Sequence, residues 1–95
     1  MQYLLLIHDN VTSASTDSDW ADFIAKAKES GMFMGGSELG PRVVIGPGKA
    51  VPSSEHISGF MRFDAEDKLR LLELLQSHPI VVHGGTVELI EMPIS

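Results

Sequence analysis

"HISGFMRFDAEDKLRLLELLQSHPIVVHGGTVELIEM", residues 56–92, decides the fold. Its first part, "HISGFMRF", is rich in β-forming residues and reads as a strand, in which Gly59 marks a bulge or a close backbone approach. A helix must follow. Asp64 is a cap candidate, and Glu66 and Asp67 favour the positive end of the helix dipole. Behind them the leucine run covers a wide face: Leu69, Leu72 and Leu75 recur at three-residue spacing, and Leu71 and Leu74 widen the stripe. Pro79 is expected to stop the helix, because the residue before a proline is pushed out of the helical region. "GTVELIEM" is then the last strand, so this half of the chain is a β-α-β unit.

The N-terminal half repeats the pattern. "QYLLLIH" is short, aliphatic and without clean alternation, as suits a central strand covered on both faces. "STDSDWADFIAKAKESG" offers Ser and Thr caps and acidic residues in the first turn, with Trp20, Phe23, Ile24 and Ala27 at helical spacing and Gly31 at the C-terminus. The following span, 32–52, is dense in glycine and proline and admits only short strands, expected at 42–45 and 49–51 around a "GPGK" turn.

The order is therefore α+β, a ferredoxin-like β-α-β-β-α-β with an extra short hairpin. Two helices cover only one face of such a sheet. If the other face carries Leu4, Leu6, Ile90 and Met92, a second copy of the chain is its natural cover, which predicts a homodimer with a cavity near the junction.

At 95 residues the sequence is read as one domain, 1–95, small enough that burial against a second copy would help it considerably. A hydrophobic content of 43% argues for a packed core rather than disorder. The net charge of -6, with 7 scattered Lys and Arg, argues against nucleic acid. No cysteine is present, which removes disulfides and thiolate chemistry. The N-terminus has no cationic leader pattern and no apolar run reaches membrane-spanning length, so a mature cytoplasmic chain with no membrane partner is expected. The spacing of His78 and His83 does not match a helical zinc pair, and "GPGK" lacks the Walker spacing, so neither a metal nor another cofactor is expected.

Four segments together, "MQYLLLIHD", "MGGSELG", "ISGFMRFDAED" and "SHPIVVHGGTVELIEMPI", resemble the YCII-related family, also called the DGPF-domain family, in the correct order along most of the chain. The resemblance implies a dimeric α+β barrel with a ferredoxin-like protomer. It also implies a small-molecule site using histidine and aspartate as acid–base groups, with some relatives tied to aromatic-compound metabolism and some to sigma-factor genes. One departure stands out: where the family carries Asp-Gly-Pro-Phe and an acidic stretch, this chain has the shorter "VPSSEH", in which only Pro52 is a remnant and Glu55 is the nearest carboxylate.

The residues themselves single out several candidates. His8 closes the first strand on the face of Leu4 and Leu6, and with His83 is expected to transfer protons, while Glu38 or Asp9 orients an imidazole. Alternation along the strand prevents His8 and Asp9 from forming a side-by-side pair. His78 follows the leucine helix, where an imidazole can cap terminal carbonyls. His83 precedes Gly84 and Gly85, which permit positive φ and a tight approach to a ligand or another chain. Arg62, costly on a strand unless paired, is expected to meet Glu88 or an anionic ligand. Catalysis is thus assigned to His8, His83, Asp9 and Glu38, and substrate contact to His78, Arg62, Gly84 and Gly85. The substrate expected is a small organic acid or aromatic molecule, handled by a cofactor-free lyase, isomerase or hydrolase; the alternative is a noncatalytic dimeric binding or accessory module with a degenerate site.

Overall fold

A computed structural model describes residues 1–48 and 54–94. The elements in chain order are β1 (Gln2–His8), α1 (Asp17–Glu29), β2 (Phe33–Glu38), β3 (Ile57–Asp64), α2 (Lys68–Leu75), α3 (Pro79–Val82) and β4 (Val87–Met92). The four strands form one antiparallel sheet in the order β2-β3-β1-β4, the ferredoxin-like arrangement with β1 and β3 central.

Strand alternation divides the residues between two faces. Tyr3, Leu5 and Ile7 of β1 and Met61 and Phe63 of β3 point to the helix side, where they bury against Phe23 and Ala27 of α1 and Leu71 and Leu75 of α2. Leu4, Leu6 and His8 point the other way and are only half-buried, as are Phe60, Ile90 and Met92. The registers Leu4↔Ile90, Leu4↔Arg62 and Leu6↔Phe60 place these residues side by side on one face.

Helix α1 begins with a reciprocal capping box. The Thr16 hydroxyl accepts from the Asp19 N–H, and the Asp19 carboxylate accepts from the Thr16 N–H. It ends at Ser30, followed by Gly31 at φ +75°. Helix α2 is capped by Asp67 rather than the expected Asp64, which lies in β3 opposite Gln2. Its buried stripe is Leu71 and Leu75, four residues apart, so the three-residue ladder is not the inner face: Leu69 is 71% exposed and Leu72 37%.

One expectation fails in the middle of the chain. Residues 42–45 form no strand, and Val43, Val44 and Ile45 are exposed. β-Branched residues favour a strand only when a neighbour supplies the ladder. The edge strand is instead Phe33–Glu38, where Gly36 fits because the strands approach closely: a Cβ on it would collide with the Phe60 carbonyl of β3. The expected strand at 49–51, Lys49 of the turn, Pro52 and Ser53 lie outside the described residues. Helix α2 ends at Leu75 with Gln76 as its cap, ahead of Pro79, and Pro79 starts α3, where it occupies the first turn and gives up no needed N–H.

Candidate functional site

Histidines at the two ends of α3 have different surroundings. His78 precedes the helix and its Nδ1 accepts from the Ile80 N–H at 3.1 Å, so the ring caps the N-terminus of α3 rather than the carbonyls of α2. With Nδ1 accepting, the proton sits on Nε2. That atom is buried with no hydrogen-bond partner among the described residues. The ring lies 5.1 Å edge-on from Trp20 and 4.7 Å from Phe23, and the residue is 0% exposed. Burial pushes the imidazole down to about 4. His78 is a neutral core residue, sealed from the ligand contact expected of it.

His83, at the C-terminal end, is held on both ring nitrogens. Nδ1 meets the Ser13 hydroxyl at 2.8 Å and Nε2 meets the Asp19 carboxylate at 3.0 Å. Its backbone carbonyl accepts from the Thr12 N–H at 2.9 Å and the Thr12 hydroxyl at 3.2 Å. The glycines that follow make this approach possible. Gly84 has φ +84°, and a Cβ there would strike the Thr12 hydroxyl; one on Gly85 would come within 2.7 Å of Ile80 and 2.9 Å of Val11. They serve contact between two loops of the same chain rather than the ligand contact expected of them. Asp19 is held below the ordinary carboxylate value, first by the Thr16 backbone N–H and then by the His83 imidazole. A cavity of 170 Å³ adjoins the ring, lined in part by Phe23, Lys26, Pro79 and Val82.

His8 forms a second imidazole–carboxylate pair, Nε2 to Glu88 at 2.9 Å, on the sheet face away from the helices. The expected Arg62–Glu88 pair is absent because β1 lies between those strands: Glu88 opposes Leu6, and Arg62 opposes Leu4. Arg62 instead donates to the Gln2 side chain at 3.4 Å. The carboxylates beside the imidazoles are thus Glu88 and Asp19, in place of the expected Glu38 or Asp9. Asp9 is exposed past the end of β1, where its N–H donates to the His56 carbonyl.

Glu38 lies elsewhere, at a cavity of 590 Å³ between α1 and the β2–β3 edge. Apolar walls come from Ile7, Trp20, Ile24, Phe33 and Met61, and Glu38 and Asp17 supply carboxylates. Size and lining are those of a small-molecule site, apolar with a few polar groups. No histidine lines it. Trp20 read as core in the sequence, and its hydropathy carried no sign that it would also form a cavity wall. Ser13 and Asp19 had no signal linking them to a histidine 70 and 64 residues away.

No protein-family model matches the chain, and no curated protein matches it in sequence. Among solved structures, it is similar to 5-chloro-2-hydroxyhydroquinone dehydrochlorinase from Burkholderia phenoliruptrix AC1100, determined in complex with 2,5-dihydroxybenzoquinone. The superposition has a TM-score of 0.60 at 14% identity and covers 100% of this chain and 96% of that one. The two share a fold. At that identity the likeness speaks for architecture, and chemistry must be argued from this chain's own side chains. No helix among the described residues is long and apolar enough to cross a membrane.

Proposed function

We propose that the chain is one YCII-related domain that binds a small hydroxylated aromatic molecule in the cavity between α1 and the β2–β3 edge, and that it works as a homodimer joined through the open sheet face. The cavity carries this reading. Its walls suit a planar apolar ring, and two carboxylates in the lining repel an organic acid but accept hydrogen bonds from ring hydroxyls. This narrows the expected ligand from an acid or aromatic to a phenol-like donor. Glu38 is the group placed to take a proton from such a hydroxyl, as a cofactor-free lyase or isomerase requires. The shared architecture with a protein solved in complex with a dihydroxybenzoquinone supports a ligand of this size.

The experiment is a thermal-shift series with hydroquinones against benzoates. A ligand at 100 times its Kd stabilises by about 2.7 kcal/mol, and each kcal/mol moves the midpoint by about 4–8 °C in a domain of this size. Hydroquinones should raise the midpoint, benzoates should not, and Ile24→Trp, which fills the cavity, should remove the response. Failure of every hydroquinone at millimolar concentration would leave the noncatalytic accessory module as the better account.

A second reading has its own observation. His8 and Glu88 form a dyad at 2.9 Å beside Leu4, Leu6 and Phe60, a face that a second protomer would enclose. There His8 would act as the acid–base group, and Leu6→Asp, which places a charge in that interface, should yield monomers on a sizing column and abolish any turnover.

A further inference from the structure

We infer that Ser13, His83 and Asp19 form a hydroxyl-activating triad, with Ser13 as nucleophile toward small activated acyl esters. The reading is independent of the aromatic-ligand cavity, which none of the three residues lines. The groups converge from three places: Ser13 from the β1–α1 loop, Asp19 from the first turn of α1, and His83 from the C-terminal end of α3. Such a constellation is recognised by geometry and roles rather than by order in the chain.

The distances place each group in its role. Ser13 Oγ is 2.8 Å from His83 Nδ1, within reach of direct proton transfer. His83 Nε2 is 3.0 Å from Asp19 Oδ2, so with Nε2 protonated the ring donates to Asp19 and leaves Nδ1 free to act as base. The nitrogens are used in the reverse of the chymotrypsin order, which leaves the acid–base roles unchanged. Asp19 is itself fixed by the Thr16 N–H at 2.9 Å, and the His83 backbone by Thr12, so the imidazole is aimed from both sides. Ser13 is exposed and open to a substrate arriving from solvent.

The reaction balances without any co-reactant except water. Ser13 Oγ bonds to the acyl carbon while its proton passes to His83 Nδ1. That proton then leaves on the departing alcohol as the ester C–O bond breaks. Water attacks the acyl-serine, gives a proton to Nδ1, and the acid departs as Ser13 Oγ recovers it. Asp19 acts through His83 and is a positioning residue.

A fluorophosphonate probe, with mass spectrometry of the whole chain and its peptides, tests the assignment. An adduct is expected at Ser13 and not at the other exposed serines among the described residues, Ser18, Ser37, Ser54 and Ser58, which serve as internal references. Short p-nitrophenyl esters should turn over with a burst. Ser13→Ala should abolish both signals in a protein whose circular dichroism and melting midpoint are unchanged. His83→Gln should slow labelling by about 10²–10⁴-fold. Asp19→Asn should lower the rate and displace its pH profile, which loss of a merely structural contact would not do. Absence of a Ser13 adduct in the folded protein, or an adduct whose rate His83→Gln leaves unchanged, overturns the proposal.

Discussion

His78 and His83 sit at opposite ends of a four-residue helix and have almost nothing in common. One is closed in by Trp20 and Phe23, with a buried nitrogen that has no partner among the described residues; the other is tied to Ser13 and Asp19 at the surface. The turn of α3 points one ring into the core and the other across the β1–α1 loop. The lesson is that a histidine's chemistry is set by what its own backbone turn presses it against. His78 has one nitrogen satisfied by a cap and is otherwise treated as an aromatic wedge. His83 has both nitrogens facing groups that can exchange or hold a proton.

The largest test of the contrast is truncation of the core member. His78→Ala removes the wedge between two aromatic rings and the cap on Ile80, and should cost about 3 kcal/mol by denaturant unfolding, in the range of large-to-small core changes. The same change at His83, a side chain 21% exposed, should cost clearly less. Equal losses would erase the distinction between core and surface roles.

Acid sharpens it next. The His78 value falls from 6.5 in the unfolded chain to about 4 in the folded one, so between those limits the unfolded state binds the proton that the folded state refuses. Stability from this group is complete above pH 6.5, declines as pH drops toward 4, and is flat below. The interval corresponds to about 3 kcal/mol at 1.36 kcal/mol per unit. Asp19 shifts downward as well, but as a carboxylate: its contribution is present above 3.8 and is lost only as pH falls through its lower folded value. Urea midpoints measured from pH 8 to pH 3 should therefore decline first in the His78 window, and His78→Leu should flatten that first decline alone.

The contrast also marks where sequence reasoning holds. Helical spacing located α1 and α2, because it reports which side of a helix faces a core, and runs of aliphatic and β-forming residues located β1, β3 and β4. These signals failed at Phe33–Glu38, where "FMGGSE" has almost no β-forming character and is held as a strand by close pairing with β3. They failed in the opposite sense at "RVVI", whose propensity is strong but whose ladder partner is missing among the described residues. At the site, the sequence pointed to His83 and its glycines but could not supply Ser13 or Asp19. Serine and aspartate ahead of a helix are ordinary capping material, and only the folded chain brings them to an imidazole. Glu88 was legible as a charge on the last strand but was matched to Arg62, although the ferredoxin-like order expected from the sequence already sets β1 between their two strands.

A smaller effect is expected from the turn that delivers His83. Gly84→Ala forces a side chain into positive φ and onto the Thr12 hydroxyl, and should cost about 2 kcal/mol. More usefully, it should move the α3–β4 turn off the β1–α1 loop, so that the NMR signals of the His83 ring change while those of His78 stay in place. The smallest effect should come from the far side of the network. Thr16→Ala removes the hydroxyl that caps α1 and should cost about 1 kcal/mol. It leaves the Thr16 backbone N–H that holds the Asp19 carboxylate, so the His83–Asp19 contact should survive with its ring signals unchanged. If Thr16→Ala disturbs His83 as much as Gly84→Ala does, the imidazole depends on the whole helix start rather than on the glycine turn, and the separation between stabilising cap and aimed side chain fails.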